Sequence, residues 1–398
     1  MTKKLTYPYE YMDSPEKYLE TQLPPIEKFY SSLNDEHVSP EEYQNAKEIW
    51  DTFQIKNLHE FTMLYNKLDV LLFTDIMENF RDISLKIYKL DPAWYLTTPG
   101  FSWGALLKYT RQKLELLTDY NMCLFVEQGI RGGFCQCSKR YAKVNNKYMG
   151  DKYDATKENV YIEYLDANNL YGLAMRESLP YNGFKWSKYE KLNPKSTWMD
   201  VMNVSNNSPK GYIIEVDLAY PKKLHDRHSE YPILPIKQEG SPEKVKKLMG
   251  TLNYKEHYVI HYTRLKQCLK MGLVLKKIHR VLEFNQTPWM ETYIEFNTEL
   301  RKKAKNSFEK DFYKLMNNAP YGKFMENVRN RQDIRLCTNA KKAMKLIAKP
   351  TFKSRTIFAE NLVAFHMRKA NVKFNKPIYL GMSILNNSKI ICMVSTIM

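Results

Sequence analysis

Two segments of the chain carry residue types at spacings that could do chemistry on a phosphorylated sugar. The first is YIEYLDANNLYG, residues 161–172. An apolar run over 160–165 reads as a strand that delivers Asp166 at its end, followed by the turn Ala167-Asn168-Asn169 and then Leu170-Tyr171-Gly172. A carboxylate on a rigid strand end suits Mg²⁺, a hard cation that demands fixed oxygen geometry. An aromatic ring a few residues later can pack against a bound sugar. Standing alone, an aspartate in a turn after a strand is more often structural. The second segment is FYKLMNNAPYGK, residues 312–323. A helical region from about Trp289 to Asn318 puts Lys303, Lys310, Lys314, Asn318 and Tyr321 near one face, with Arg301 and Lys302 adding charge at its N-terminal end. Basic heads stacked along one helix face suit a triphosphate, although a lone helix with such a face is ordinarily just solvated.

Weaker signals lie around these two. Tyr65 and Asp69 are four residues apart and share a face if the segment is helical. Arg131-Gly132-Gly133 interrupts the pattern; consecutive glycines allow positive φ and close backbone approach. Beyond it Lys139, Arg140, Tyr141, Lys143, Lys147, Tyr148, Lys152 and Tyr153 interleave bases with aromatics, which reads either as a solvated loop or as a surface that contacts a nucleic-acid backbone. Cys135 and Cys137, with His257, His261, Cys268 and His279, form at most a loose echo of a zinc set, since structural zinc uses two tight ligand pairs. The expectation is reduced thiols and no zinc.

These residues need elements to position them. Ser39-Pro40-Glu41-Glu42 is a helix start with a capping Ser, Pro in the first turn and Glu three residues on. A second helix is expected over Leu58–Lys86 with Leu64, Leu68, Leu71, Leu72 and Ile76 as its buried stripe, and a third near Trp103–Leu117. Tyr212–Leu218 reads as a strand with Ile214, Val216 and Leu218 on one face and Glu215 and Asp217 on the other. Residues 225–250 read as loop, with Pro232, Pro235 and Pro242. A helix near Thr263–Met271 ends at Gly272, and a strand over Val274–Phe284 follows. The whole is an α+β chain.

Composition narrows the function classes. The chain has 398 residues, long enough for two to three domains. It holds 61 Lys and Arg against 44 Asp and Glu, a net charge of +17 and a pI near 9.3. That excess points to a polyanionic partner, nucleic acid before a membrane surface. No apolar run of roughly 18 residues exists, so no transmembrane helix is expected. The N-terminus MTKKLTYPYEYMD has no apolar core of a signal peptide, so secretion is not expected. An intracellular protein is the expectation, with nucleus or cytoplasm left open.

Taken together and in order, D-x-x-x-L-Y (166–171) and K-x-x-x-N-A-x-Y-G (314–322) resemble motifs A and B of family B DNA polymerases. The likeness is to the protein-primed branch: viral, organellar and Polinton/Maverick-type transposon enzymes. PYEYMDSPEKY, LDANNLYGLAM, KLMNNAPYGK and KPIYLGMSIL are similar to phrases of that group, so the resemblance runs over about residues 5–389. It implies a right-hand polymerase with an antiparallel palm, template-directed addition of dNTPs to DNA, a two-Mg²⁺ site, and a terminal protein as possible primer. It implies that Asp166 is the catalytic metal ligand and Tyr171 the steric gate against a 2′-hydroxyl. Lys314 would grip the triphosphate with Lys310 and Lys302 as auxiliaries. Asn318 and Tyr321 would line the base and sugar pocket, and Gly322 would let the template approach. Tyr65 and Asp69 resemble the third motif of a 3′–5′ exonuclease. Arg131, Gly132 and Gly133 resemble the Y-x-G-G element between exonuclease and polymerase, with Ile130 in place of Tyr, and Lys139 and Arg140 extend that DNA-contacting stretch.

The implied organisation is an exonuclease-like part over 1–130, a linker turn and first palm segment over 131–186, and a palm strand with a terminal-protein-region-like insertion over 187–290. Fingers over 291–327 and a second insertion with a returning palm helix over 328–398 complete it. Three departures stand beside the resemblance. The first two exonuclease motifs and motif C (Y-x-D-T-D-S) have no counterpart in the 398 residues, and the tail IICMVSTIM reads as a frameshifted or mis-spliced end. A thumb is not expected, and polymerisation by these residues alone is expected to fail for want of the second aspartate. The alternative is a nucleic-acid-binding remnant without catalysis. Finally, Pro320 sits at the wildcard of motif B, where a helix interior would lose a hydrogen bond at a cost of about 3 kcal/mol.

Overall fold

The computed structural model describes residues 5–135, 137, 140–164, 166–187, 203–239 and 246–397. They divide into two compact units, Met1–Tyr95 and Leu96–Met398. The first unit is helical. Helix α1, Pro40–Thr52, starts as its sequence demands: Ser39 Oγ accepts from the Glu42 amide at 3.2 Å while the Glu42 carboxylate accepts from the Ser39 amide at 3.0 Å. Helix α2, Leu58–Tyr88, is capped by Asn57. The core of this unit joins Leu5, Ala46, Ile49, Ile55, Leu58, Phe61 and Tyr65. The expected stripe of α2 is therefore half right. Leu64, Leu68 and Leu72 are partly buried, but Leu71 and Ile76 are 63% and 56% exposed. The chain segments that form the core reach only the first turns of the helix, and helical spacing alone does not say how far along a helix its partner extends.

The second unit is mixed. Helix α3, Thr98–Thr110, begins a turn earlier than expected because Thr97 caps it, and it closes where Arg111 turns left-handed at φ 54°. Helices α4 (Tyr120–Gly129) and α5 (Leu170–Arg176) lead to a four-stranded antiparallel sheet. Its strands are β1 (Leu179–Trp186), β2 (Lys210–Ala219), β5 (Lys255–His261) and β6 (Val274–Thr287), in the spatial order β1-β6-β2-β5. Between β2 and β5, the stretch expected to be loop instead forms a hairpin of β3 (Pro235–Glu239) and β4 (Lys246–Gly250). Pro235 stands at the first position of β3, where a missing N–H does no harm to pairing.

The β2 pattern holds. Ile214, Val216 and Leu218 face a core with Tyr258, Ile260, Tyr262, Leu265 and Val281, built under helix α6 (Tyr262–Lys270). On the opposite face Glu215 meets Arg280 and His257, and Asp217 meets His279. After β6 come helices α7 (Glu291–Lys302) and α8 (Ser307–Phe324), then a three-stranded sheet of β7 (Asp333–Cys337), β8 (Phe352–Ala359) and β9 (Leu362–Met367) with β9 central. Helix α9 (Ala340–Ile347) packs on that sheet, and α10 (Ile378–Ile397) returns to pack against α4, α5 and α6. Gly381 permits this return: a Cβ there would overlap the Met325 side chain at the end of α8.

Two expectations fail here. The first is the strand over 160–165. Val160 makes one isolated antiparallel bridge to Asn145, and residues 161–164 are irregular; Leu165 lies outside the described residues. A strand is stable only when a neighbour accepts its hydrogen bonds and covers a face, and Tyr161, Ile162 and Tyr164 are 50%, 60% and 95% exposed. The second is the single helix through Asn318. It is two helices, broken at 303–306. Asn306 caps α8 by accepting from the Glu309 amide at 2.8 Å, while the Glu309 carboxylate accepts from the Lys305 amide at 2.9 Å. The sequence N-S-F-E announced that start.

Candidate functional site

The two chemistry-bearing segments meet. Tyr171, in the first turn of α5, and Tyr321, in the last turn of α8, stack with ring centroids 4.6 Å apart and planes 11° from parallel. They are 150 residues apart in sequence, and both come from the motifs singled out above. Local chemistry explains how each gets there. Asn169 adopts a left-handed conformation, φ 55°, and opens α5 directly before Tyr171; its side chain lies so close to Gly172 that a Cβ there would overlap it. Burial raises the Tyr321 phenol well above its usual range, while Tyr171 keeps an accessible surface of 37%.

Helix α8 runs straight through Pro320 to Phe324. The missing N–H leaves the carbonyl of Met316, four residues back, without its helical donor. Two other elements supply replacements. Ser102 Oγ in α3 donates to Met316 O at 2.7 Å, and the Tyr293 hydroxyl in α7 donates to it at 3.3 Å. Ser102, Met316 and Tyr293 are each fully buried. The proline that argued against a continuous helix thus creates a joint that ties α3, α7 and α8 together one turn before Tyr321.

On the solvent side of α8, Lys310 and Lys314 are exposed, and among the described residues neither makes an ion pair. Asn318, one turn on, is partly buried; its neighbour Asn317 points inward, its Nδ2 donating to Ile294 O at 3.2 Å. Gly322 faces open space, since a Cβ there would meet nothing within 4 Å. Lys302 does not belong to this row. It is the last residue of α7 and pairs with Glu299 at 2.7 Å.

Asp166 is exposed. Because residues 161–164 form no strand, the rigid strand end expected to hold it is not formed. Among the described residues no three His, Cys, Asp or Glu side chains gather in a way that could hold a metal ion. The residues described here therefore do not build the two-Mg²⁺ set that the resemblance implies.

Of the glycine turn, only Gly133 takes a positive φ, 71°. Arg131 turns inward: its guanidinium donates to Val259 O at 2.7 Å and lies 3.7 Å from the centre of the Tyr258 ring. Arg140, Tyr141 and Tyr148 are exposed; Lys139 lies outside the described residues. In the first unit Tyr65 is buried against Tyr7, with rings 4.6 Å apart, and its hydroxyl bonds to Tyr9. Burial first, then hydrogen bonds to Asp69 and Tyr9, raises that phenol far above its usual range. The pair one helical turn apart is thus in mutual contact.

The loose zinc set does not assemble as spaced. His257 and His261 both lie on β5. His257 stacks on His279 at 3.9 Å beside Glu215 and Asp217, whereas His261 is buried and bonded to Thr263 at 2.6 Å. One charge feature escaped the sequence reading. Residues 328–376 hold thirteen Lys and Arg against two Asp and Glu, so +11 of the net +17 falls on the β7–β9–β8 sheet and its connections. Counting charge segment by segment would have found it.

The chain belongs to the organellar and viral type B DNA polymerases; the family model matches residues 1–396. Among solved structures it is similar to Phi29 DNA polymerase in an orthorhombic crystal form, at 14% identity over 96% of this chain and 54% of that one, with a TM-score of 0.47. The same polymerase complexed with primer-template DNA and incoming nucleotide matches at 13% identity over 97% and 55%, TM-score 0.44. Its complex with single-stranded DNA matches at 16% over 77% and 44%, TM-score 0.41. The chain spans about half the length of these polymerases. No curated protein matches it. No helix among the described residues is long and apolar enough to cross a membrane.

Proposed function

We propose that the chain carries the nucleotide-binding face of a DNA-directed DNA polymerase and binds dNTP and DNA for template-directed nucleotidyl transfer. The observation that carries this reading is the Tyr171–Tyr321 stack, which brings two family motifs into one place. Lys310 and Lys314, one helical turn apart and, among the described residues, without an ion pair, offer their ammonium groups to the triphosphate. Such charge-assisted contacts matter most at the face where negative charge accumulates. Asn318 and Tyr321 continue that row toward base and sugar. Tyr171, held against Tyr321, sets the wall that a 2′-hydroxyl would strike. Gly322 keeps a side chain out of the template's way.

Asp166 is the residue assigned to the catalytic Mg²⁺ by its place in the motif, and it would supply one carboxylate to that ion; the described residues add no second and third ligand beside it. The basic β7–β9–β8 region suits the phosphodiester backbone, and its binding would weaken steeply with salt. The protein-primed setting, a terminal protein as primer, and service to a viral or transposon-like element follow from the resemblance alone. So do the division into exonuclease-like, palm, insertion and fingers segments and the exonuclease role of Tyr65 and Asp69.

The test is a titration of the 398-residue chain with a fluorescent dNTP, alongside its ribonucleotide counterpart. Lys314→Ala is expected to weaken dNTP binding about tenfold or more, the worth of one charged hydrogen bond, and Lys302→Ala to change it little. Tyr171→Ala should bring the ribonucleotide and deoxyribonucleotide affinities together. An unchanged affinity in Lys314→Ala would sink the assignment. Primer extension with Mg²⁺, with and without Asp166→Ala, then separates polymerisation from binding alone.

A further inference from the structure

The helix that carries Tyr171 is attached at two points to one pair of helices. Its first turn holds the Tyr171 ring against Tyr321 of α8. Its last residue, Arg176, reaches α7: Nη2 donates to Glu295 Oε1 at 2.6 Å and to Glu291 Oε1 at 3.4 Å. Glu291 and Glu295 are one turn apart and share a face of α7. They flank Tyr293 and Ile294, whose hydroxyl and carbonyl bond α7 to Met316 and Asn317 of α8. Among the described residues, Arg176 makes its ion pairs with these two carboxylates, and neither carboxylate makes another. No motif singled out above includes Arg176; the phrase LDANNLYGLAM ends one residue before it.

Tyr171 and Arg176 are five residues apart, so they project about 140° from one another around the axis of α5. Contacts on two such different sides fix the roll of a helix as well as its place. The fully buried Ala174 and Met175 set its depth in the core. What precedes α5 gives little support, since Asn169 opens it without a side-chain cap and residues 161–164 are irregular. Roll matters here. A ring ~6 Å from the helix axis moves about 1 Å for a roll of about 10°, and a binding wall has to be held to about 0.5 Å. The fork of an arginine suits this task, because its planar donors fix direction where a lysine would swivel. Without that charge the two carboxylates, four residues apart on one helix, repel each other. All three side chains reach solvent, so the ion pairs add little to overall stability. Their effect is geometric.

We infer that Arg176 is a positioning residue for sugar selection: its fork on Glu295 and Glu291 sets the roll of α5, and so the distance at which the Tyr171 wall meets the 2′ position of a bound nucleotide. The inference rests on the reading of Tyr171 as that wall. It adds a residue from outside the motifs and assigns it no contact with the nucleotide.

The test is the paired titration of the full chain with a fluorescent dNTP and its ribonucleotide counterpart. In Arg176→Met the stem stays and the charge goes. The ratio of ribonucleotide to deoxyribonucleotide Kd should fall about threefold, the worth of one exposed ion pair, while dNTP affinity stays within about twofold. Exchanging the charges, Arg176→Glu with Glu295→Arg, should restore the ratio, which a loss of packing alone would not allow. In a Tyr171→Ala background, Arg176→Met should change nothing further. A ratio that Tyr171→Ala collapses and Arg176→Met leaves alone overturns the positioning role and keeps the wall. A second measurement needs no nucleotide. Fluorine NMR of the chain labelled with fluorotyrosine identifies Tyr171 by the line lost in Tyr171→Phe, and Arg176→Met should shift that line. Should Tyr171→Ala leave the ratio unchanged, the wall reading fails by itself and this line decides: shifted, it upholds Arg176 as the residue that places the ring; unmoved, it overturns the inference.

Discussion

The two segments that meet at the Tyr171–Tyr321 stack are held in opposite ways. The α8 segment is pinned from the inside. Phe312, Tyr313, Met316, Asn317, Ala319, Pro320 and Phe324 are buried, and the carbonyl released by Pro320 is taken up by donors from two other helices. Among its described residues, the 160–169 segment is held by the Val160–Asn145 bridge, where the amides and carbonyls pair at 2.7 and 3.0 Å, by an edge contact of the Tyr161 ring with Tyr148, and by the left-handed Asn169 that opens α5. Between those points Tyr161, Ile162 and Tyr164 are exposed. A binding surface for phosphate can be built on one helix, because the helix satisfies its own backbone. A carboxylate that must hold a metal at fixed geometry needs a rigid element under it, and the irregular residues 161–164 before Asp166 do not supply one.

The largest effect expected from this contrast lies at the α8 joint. Ser102→Ala removes the shorter of the two hydrogen bonds to Met316 O in a fully buried place, at about 1–3 kcal/mol of stability. Urea denaturation reads this directly. The decisive comparison is the same substitution in a Pro320→Ala background. Alanine restores the amide that can donate back to Met316 O, so Ser102→Ala should then cost much less. Equal costs in the two backgrounds would mean that Ser102 acts through something other than the freed carbonyl, and that Pro320 is merely tolerated.

The next effect is electrostatic and tests how the end of α8 is anchored to the basic region beyond it. Glu326 bonds to Arg331 at 2.7 and 3.0 Å and to Lys376 at 2.8 Å. Its hydrogen bond from Arg331, then that from Lys376, lowers its carboxyl from the usual 4.5 to about 2. A depressed acid contributes stability that is present above its unfolded value and lost as pH falls through the folded one. Glu326→Gln should therefore destabilise the chain at pH 7. The gap from wild type should narrow from pH 4.5 downward and close near pH 2. A gap that stays constant over that window would assign the loss to shape rather than charge.

What was legible in the sequence follows the same division between local and distant causes. The start of α1 was readable because a capping box is complete within four residues. The β2 alternation was readable because its two faces differ in polarity; Tyr171 and Tyr321 were singled out by resemblance, but nothing in the sequence announced that their rings would stack. Propensity argued against α8 passing Pro320, and it does pass, because Ser102 and Tyr293, more than 200 and some 20 residues away from Met316, supply what the backbone lacks. No local pattern reports such donors. The same holds for Arg131: a basic residue beside two glycines reads as a surface contact, yet the aromatic face of Tyr258 and the carbonyl of Val259 draw it inward. The pairing of β3 with β4 was hidden by Pro235, which the first position of a strand accepts. The break at 303–306 has a local cause, the cap formed by Asn306 and Glu309, which is complete within four residues.

The smallest expected effect tests the other half of the contrast. Ile162 belongs to an apolar run rich in strand-forming residues, and it is 60% exposed. Were the run a buried strand, a lysine there would leave a charge in a core and cost several kcal/mol. With the side chain in solvent, Ile162→Lys should stay within about 0.5 kcal/mol of wild type in urea denaturation, as surface substitutions do. A loss well above that would mean the segment finds a partner in solution and that Asp166 is held more firmly than its exposure implies. A neutral result, set beside a costly Ser102→Ala, places the stability of the stack on the α8 side. Tyr321 would then be the fixed wall of the pair, and the position of Asp166, before α5, would be set by what binds there.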